Sequence, residues 1–290
     1  MVSIQLQDNN APFRHICGAS IVNEIFVITA AHCIVNVDIS NIQLVFGSTN
    51  LDMVNEKRLV KKTYVHPMYH PRYFYYDVAL LELDEQLQFG PLIRPVCIPI
   101  IPVSDVDSRK QNSAILTGWR EIRPGFGSVL RQILMKVFSQ TFCNSTRIGE
   151  IQDEDSNDDD VNLIPIALND DILDLVDNDD LGYDQNGNPT SSSAKLPKLF
   201  KSDLICAGYE AGPGGKTSCP GDSGGPLVVF DSIRLCYTQI GVATGGHCGS
   251  TKYHGAFTRL EDPQVLDFIY RYAFGRTIIN IGMLKFYKII

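Results

Sequence analysis

The chain has 290 residues, 44% of them hydrophobic, and a formal net charge of −8. This length can bury a large core and is compatible with two lobes. No apolar run approaches the ~18–20 residues that a membrane-spanning helix needs, so a membrane protein is not expected. The eight cysteines include no CxxC pair and therefore favour disulfides in an oxidising compartment over a zinc site.

Short apolar runs separated by turn residues predict an all-β fold. In chain order the expected strands cover residues 20–29, 43–46, 78–83, 114–117, 132–138, 226–230, 239–243 and 255–260. After them, Asp262 is suited to cap a helix that begins with Pro263. Apolar residues at 265, 266, 268 and 269 give this helix, expected over about 262–272, one apolar face.

Residues 221–226, Gly-Asp-Ser-Gly-Gly-Pro, place Ser223 in a glycine-rich turn. Glycines let the chain turn tightly and let a substrate backbone come close. In such a turn the N–H groups of Gly221 and Ser223 can converge on one point. Donors held there would stabilise negative charge that develops on a carbonyl oxygen, so the turn predicts an oxyanion hole.

A serine hydroxyl is a poor nucleophile at neutral pH and needs a neighbouring imidazole to accept its proton. His32, at the end of an apolar run, and Asp77, at the start of another, are the candidates for that base and for a buried acid that orients it. No metal or other cofactor is expected in this chemistry. The chain order His, Asp, Ser differs from the orders of the subtilisins and the α/β-hydrolases.

These motifs resemble the chymotrypsin/trypsin family of serine proteases, as do residues 17–20, 66–67, 95–99, 117–119, 206–208 and 255–259. The resemblance runs from residue 2 to about residue 272 and implies two antiparallel six-stranded β-barrels followed by a C-terminal helix. The first barrel is expected over about 1–100 and the second over about 101–260, within one peptidase domain, 1–272. The implied protein is a secreted serine endopeptidase with the catalytic residues His32, Asp77 and Ser223.

The alternative is an inactive protease homologue that binds partners without catalysis. Such homologues usually lack a triad residue, and this chain keeps all three. Protein or peptide substrates and protein inhibitors are the expected partners, whereas nucleic acid and membranes are not.

The resemblance also implies three disulfides, which are Cys17–Cys33, Cys143–Cys206 and Cys219–Cys248. Cys97 and Cys236 remain, and two interpretations stay open for them. They pair with each other, or Cys97 bonds a propeptide or light chain that lies outside this sequence.

By resemblance, Thr217 forms the floor of the primary substrate pocket, where trypsin-like enzymes have an aspartate. A neutral floor gives a buried lysine or arginine no counter-ion. Gly245 or Gly246 and Gly255 would form open walls, so the pocket should prefer an aromatic or large aliphatic side chain. Thr244 is the candidate for the serine that usually supports the catalytic aspartate, with a register ambiguous by one residue.

Activation in this family creates a new amino terminus that pairs with the aspartate before the nucleophile, which here is Asp222. The sequence begins within the expected first strand, without a signal peptide or an activation segment. Two expectations compete. The sequence is a fragment of a longer zymogen, or it is a chain that cannot mature normally.

Between Cys143 and Cys206 lie 62 residues, far more than relatives have there. The part from Glu150 to Asp184 has 14 acidic residues and no lysine or arginine, so residues 147–200 are expected to be a disordered insertion. Calcium, a basic partner or a mis-annotated intron are the alternatives. A tail, 273–290, follows the expected helix and has no functional interpretation.

Several smaller features have simple interpretations. Asn144 begins a glycosylation sequon. The aromatic run at 73–76 should pack over the catalytic rim, and the basic residues of 57–62 should form a solvated face. The remaining histidines, including His15 and His66, are expected to be structural or on the surface.

Overall fold

The computed structural model describes residues 1–7, 11–54, 56–100, 113–119, 128–139, 142–143, 203–208, 221–245 and 254–276. Two units divide the chain: a body, Met1–Thr146 with Phe200–Ile290, and a second unit, Arg147–Leu199. The second unit, and with it the acidic insertion, lies outside the described residues. Asn144 and residues 277–290 of the tail lie outside them as well.

Six antiparallel strands near the N-terminus close into a first barrel. They are β1 (Val2–Leu6), β2 (Arg14–Ile21), β3 (Phe26–Thr29), β4 (Ile42–Phe46), β5 (Glu56–Val65) and β6 (Ala79–Leu83), in the order β1-β2-β3-β6-β5-β4. β-Branched and leucine side chains such as Ile4, Ile28, Leu44 and Leu80 fill its interior and are fully buried.

A second barrel of the same size follows. Its strands are β7 (Ser113–Gly118), β8 (Arg131–Val137), β9 (Leu204–Gly208), β10 (Pro226–Asp231), β11 (Cys236–Gly245) and β12 (Gly255–Arg259), in the order β10-β11-β12-β9-β8-β7. Leu116, Met135, Leu227 and Phe257 lie in its core. The expected all-β fold with two six-stranded barrels is confirmed.

The predicted strand bounds were wrong at residues 20–29, which form the ends of two strands joined by a turn. The side chain of Asn23 accepts hydrogen bonds from the N–H groups of Ile25 and Phe26, each at 2.9 Å, and so reverses the chain. Strand β1 is the first strand that the resemblance implied, whereas β5 and β9 were not among those predicted. β5 carries the lysines expected on a solvated face, and several of them are indeed exposed along this strand.

The C-terminal helix α1 (Pro263–Phe274) begins as predicted and ends two residues later than expected. The Asp262 side chain caps it by accepting hydrogen bonds from the N–H groups of Gln264 and Val265. Gly275, with φ of 61°, ends it in the left-handed conformation that glycine adopts freely. Within the described part of the chain, no helix is both long enough and apolar enough to cross a membrane.

Three disulfides link the described cysteines: Cys17–Cys33, Cys97–Cys236 and Cys143–Cys206. The second joins the segment after the first barrel to β11 of the second barrel. Cys219 and Cys248 lie outside the described residues.

Candidate active site

His32 lies in a short 3-10 turn, Ala31–Cys33, that follows β3. The disulfide of Cys33 with Cys17 on β2 fixes this turn to the barrel. The N–H group of His32 donates to Asp77 Oδ1 at 2.8 Å, and its Nδ1 donates to Asp77 Oδ2 at 2.6 Å. Because a carboxylate only accepts, the proton of a neutral ring lies on Nδ1, and Nε2 can act as a base.

Asp77 is fully buried just before β6, and the second barrel holds it at two points. Thr258 on β12 donates its hydroxyl to the carbonyl oxygen of Asp77 at 2.9 Å. Thr244 on β11 donates its hydroxyl to Asp77 Oδ2, the oxygen that also accepts from His32. The acid of the first barrel is therefore oriented by side chains of the second.

A β-bulge explains how Thr244 reaches Asp77. The register between β11 and β12 shifts between Ala243, which pairs with Phe257, and Gly245, which pairs with Ala256. A bulge of this kind re-aims the side chain of the extra residue. The residue that supports Asp77 is thus Thr244, which removes the one-residue ambiguity of the sequence.

Ser223 lies in a turn that is fastened to both barrels. Its carbonyl oxygen accepts from the N–H group of Gly18 on β2, and the next N–H group, of Gly224, donates to Ala243 on β11, both at 2.7 Å. Gly224 has φ of 75°, and a Cβ there would overlap the Thr29 hydroxyl and the Gly18 carbonyl oxygen. Only glycine allows this close approach to the segment that leads to His32.

The Ser223 side chain is half-buried and remains accessible. Among the described residues, no hydrogen bond joins its hydroxyl to His32. Catalytic hydrogen bonds are often long without a substrate and tighten when one binds. No described residue accepts a hydrogen bond from the N–H group of Gly221 or of Ser223.

His15 anchors the Gly221 end of this turn. Its Nε2 lies 2.9 Å from the carbonyl oxygen of Gly221 and must donate, because that oxygen can only accept. Its Nδ1 then accepts from the Ser3 hydroxyl at 2.8 Å. Burial lowers the pKa of His15, which favours this neutral form. No sequence pattern connects His15 with Gly221, which lies 206 positions away.

Asp222, the residue expected to receive an activating amino group, is fully buried. Its Oδ1 lies against Gly118 at the end of β7, where any Cβ would overlap it. The carboxylate therefore occupies a space that the missing side chain of Gly118 leaves open.

Two of the four expected pocket residues are described. Gly245 ends β11, with no atom of a described residue within 4 Å of the position a Cβ would take, and Gly255 begins β12. Thr217 and Gly246 lie outside the described residues. Phe74, with φ of 54°, packs edge-on against the His32 ring at 5.6 Å, as the expectation of an aromatic run over the catalytic rim requires.

One group of metal-ligand residue types occurs in the described ranges, formed by Cys17, His32 and Cys33. Because the two cysteines form a disulfide, they offer no thiolate to a metal ion. The group is therefore not a metal site.

Comparison with known proteins identifies the family. A family model described as Trypsin matches residues 1–162 and 168–269. The chain belongs to the trypsin family. Trypsin-family proteins are serine peptidases that act on protein substrates and are regulated by protein inhibitors, and the matched relatives support a peptidase of this type here.

The similar proteins include members from several animals. The chain is 26% identical over 277 residues to the clotting factor G beta subunit of Tachypleus tridentatus, covering 93% of this chain and 75% of that protein. It is 29% identical over 249 residues to Hypodermin-A of Hypoderma lineatum, covering 84% and 73%. For the serine proteinase stubble of Drosophila melanogaster, the identity is 27% over 265 residues, covering 88% of this chain and 27% of that protein.

Proposed function

We propose that the protein is a secreted serine endopeptidase that cleaves peptide bonds by acyl transfer. His32, Asp77 and Ser223 are the catalytic residues of this proposal. The observation that carries it is the hydrogen bond from His32 Nδ1 to the buried Asp77 Oδ2, which leaves Nε2 as the basic nitrogen. The disulfides of the described residues support an extracellular setting.

In the first step the Ser223 hydroxyl attacks the scissile carbonyl carbon while His32 Nε2 takes its proton. The resulting imidazolium is stabilised by the ionised Asp77, whose Oδ2 also accepts from Thr244. Because Asp77 is buried, water does not compete for this carboxylate.

The N–H groups of Gly221 and Ser223 stabilise the oxyanion that forms. The peptide between Asp222 and Ser223 supports this role, because its carbonyl oxygen accepts from the Gly225 N–H at 2.9 Å. In a trans peptide the N–H points away from the carbonyl oxygen. The Ser223 N–H therefore points away from Gly225, as its proposed role requires.

His32 then gives its proton to the departing amine, and the acyl group stays on Ser223. A water molecule repeats the attack, with His32 again as base, and releases the second product. Each proton taken from a nucleophile passes to a leaving group, so the enzyme returns to its starting state.

The proposed substrates carry an aromatic or large aliphatic residue before the scissile bond. This specificity rests on the neutral Thr217, which the family resemblance assigns to the pocket floor, and on glycines at the wall positions 245, 246 and 255 that it implies. A basic substrate side chain would lose its hydration there without gaining a counter-ion.

Covalent labelling tests the triad. The full gene product, treated with an activating protease, should react with a fluorophosphonate probe, and peptide mapping should locate the label on Ser223. Ser223→Ala is the matched control and should remain unlabelled. A folded, activated protein that resists the probe would instead be an inactive homologue.

Hydrolysis of peptide amides ending in Phe, Leu or Arg tests the pocket. We expect the Phe and Leu substrates to be cleaved, and Thr217→Asp to shift the preference toward Arg. Efficient cleavage after Arg by the unaltered enzyme would contradict the proposed specificity and leave the proposed chemistry intact.

A further inference from the structure

The backbone just before the catalytic acid is held in an unfavourable conformation. Tyr76 has φ of 50°, in the left-handed region that residues with a Cβ rarely occupy. The N–H group of Val78 donates to the Tyr76 carbonyl oxygen at 2.7 Å, which makes a tight turn with Asp77 at its centre. The direction of the Asp77 side chain therefore depends on the backbone conformation of Tyr76.

A buried carboxylate of the second barrel holds this turn by a hydrogen bond. Asp203 Oδ2 accepts from the N–H group of Tyr76 at 2.6 Å, a bond that lies entirely inside the protein. Asp203 is fully buried and immediately precedes β9. The carbonyl oxygen of Asp203 accepts from the N–H group of Arg259 on β12 at 2.7 Å, so Asp203 is itself fixed to the second barrel.

The ring of Tyr76 is fixed from the other side. It stacks on the His66 ring at 4.8 Å, and His66 packs edge-on against Phe268 of helix α1 at 5.0 Å. Burial, with the nearby carboxylates of Asp262 and Asp203, raises the pKa of the Tyr76 hydroxyl to about 12. An unfavourable backbone conformation persists where its surroundings over-determine it, and here both the backbone and the ring are held.

We propose that Asp203 is a positioning residue for catalysis. It holds Tyr76 in the left-handed conformation and thereby places the Asp77 carboxylate against His32. Since it is buried, it touches no substrate. It differs from Thr244 and Thr258, which contact Asp77 itself. The inference rests on the proposed catalytic role of Asp77.

Two substitutions at Asp203 test this role. Asp203→Ala removes the acceptor, whereas Asp203→Asn keeps a carbonyl oxygen in the same place. Because the buried Tyr76 N–H would lose its acceptor, we expect Asp203→Ala to lower kcat roughly 10-fold to 100-fold, with KM little changed. Asp203→Asn should keep most of the activity. An Asp203→Asn enzyme as slow as Asp203→Ala would overturn the proposal.

A matched control separates positioning from stability. Leu204→Ala opens the core beside Asp203 but leaves the bond to Tyr76 in place. Thermal unfolding of both variants gives their stability, and kcat is measured well below the lower melting temperature. We expect Leu204→Ala to keep its kcat at a similar loss of stability. An equal fall in kcat in both variants would make Asp203 a structural residue only.

Proton NMR gives a readout that does not need proteolysis. The proton that His32 Nδ1 donates to Asp77 at 2.6 Å should give a resonance far downfield. We expect it to shift or broaden in Asp203→Ala and to be kept in Asp203→Asn and Leu204→Ala. If the unaltered enzyme cleaves no peptide, the proposed function fails, and this resonance still decides the role of Asp203. An unchanged resonance in Asp203→Ala would refute it.

Discussion

Thr244 donates a hydrogen bond to the carboxylate oxygen of Asp77 that also accepts the Nδ1 proton of His32. Donor and acceptor belong to different barrels, and a β-bulge in β11 brings them together. A carboxylate with two donors on one oxygen has a fixed orientation, and so does the ring it holds.

Thr244→Val should slow the chemical step. The variant keeps the shape of threonine but leaves buried Asp77 without one donor, so we expect kcat to fall roughly 10-fold with KM little changed. Thr244→Ser should retain most of the activity. Thr63→Val, a half-buried change on β5, is the control for general effects of the substitution. Equal kcat values for the Thr244→Val and unaltered enzymes would mean that the bond has no catalytic importance.

His15→Phe should weaken stabilisation of the oxyanion. The phenyl ring can keep the contact with Trp119 but cannot donate to the Gly221 carbonyl oxygen, so the turn loses one fixed point. We expect kcat to fall by about 10-fold, the value for one lost hydrogen bond. His15→Gln, which can still donate, should recover part of the rate. If Phe and Gln give the same rate, the bond to Gly221 does not matter.

Gly118→Ala should slow the enzyme through a single added methyl group. The new Cβ would overlap Asp222 Oδ1 and lie 3.3 Å from the Asp222 Cα, so the residue next to the nucleophile must move. We expect kcat to fall by at least about 10-fold, in line with the cost of overpacking a filled site. Gly90→Ala, whose new Cβ would have no atom of the described chain segments within 4 Å, should leave kcat unchanged. A fully active Gly118→Ala enzyme would show that Asp222 can move without harm.

His66→Phe should reduce the loss of stability in acid. Burial lowers the pKa of His66, whose Nδ1 accepts from the Met68 N–H at 3.2 Å, so the folded state resists protonation. In the unfolded chain His66 binds a proton more readily. The contribution of neutral His66 to the free energy of unfolding is therefore lost as the pH falls below about 6.5. Phenylalanine keeps the ring stack and removes this effect.

Urea unfolding at about pH 7.5 and about pH 5 measures the free energy of unfolding of each variant. The difference between the two pH values should be smaller for His66→Phe than for the unaltered protein. His70→Phe, at an exposed histidine, serves as the control and should leave the difference unchanged. A His66→Phe protein with the same acid sensitivity as the unaltered one would contradict the prediction.

The all-β fold and the capped helix followed from local patterns. Apolar runs mark strands because inward side chains must be buried. Asp262 followed by Pro263 marks a helix start because the first N–H groups of a helix need an acceptor outside it. Strand β5 escaped prediction because its lysines suggested only a solvated surface. Whether residues 20–29 formed one strand or two depended on the hydrogen bonds of the Asn23 side chain, which no alternation of apolar residues reveals.

At the site, the sequence pointed to His32, Asp77 and Ser223, and the family resemblance added Thr244, but neither indicated Thr258 or Asp203. Thr258 and Asp203 bond the backbone around Asp77, and backbone groups leave no signature in a sequence. Distance along the chain hid them as well, since Asp203 lies 127 positions from Tyr76. One available signal was Asp203 itself, an acidic residue directly before the apolar run of β9, which suggests a buried carboxylate with a structural or functional role.

The bonds that Thr244, Thr258 and Asp203 make to residues 76 and 77 all cross from one barrel to the other. The first barrel contains both His32 and Asp77, which hydrogen-bond each other, but Thr244, Thr258 and Asp203, which hold residues 76 and 77 as well, belong to the second barrel. The proposed proteolytic activity would therefore depend on the interface between the barrels. A small separation of the two barrels would abolish it before either barrel loses its own strands. A molecule bound between the two barrels, away from the substrate, would then inhibit the proposed activity without contacting Ser223.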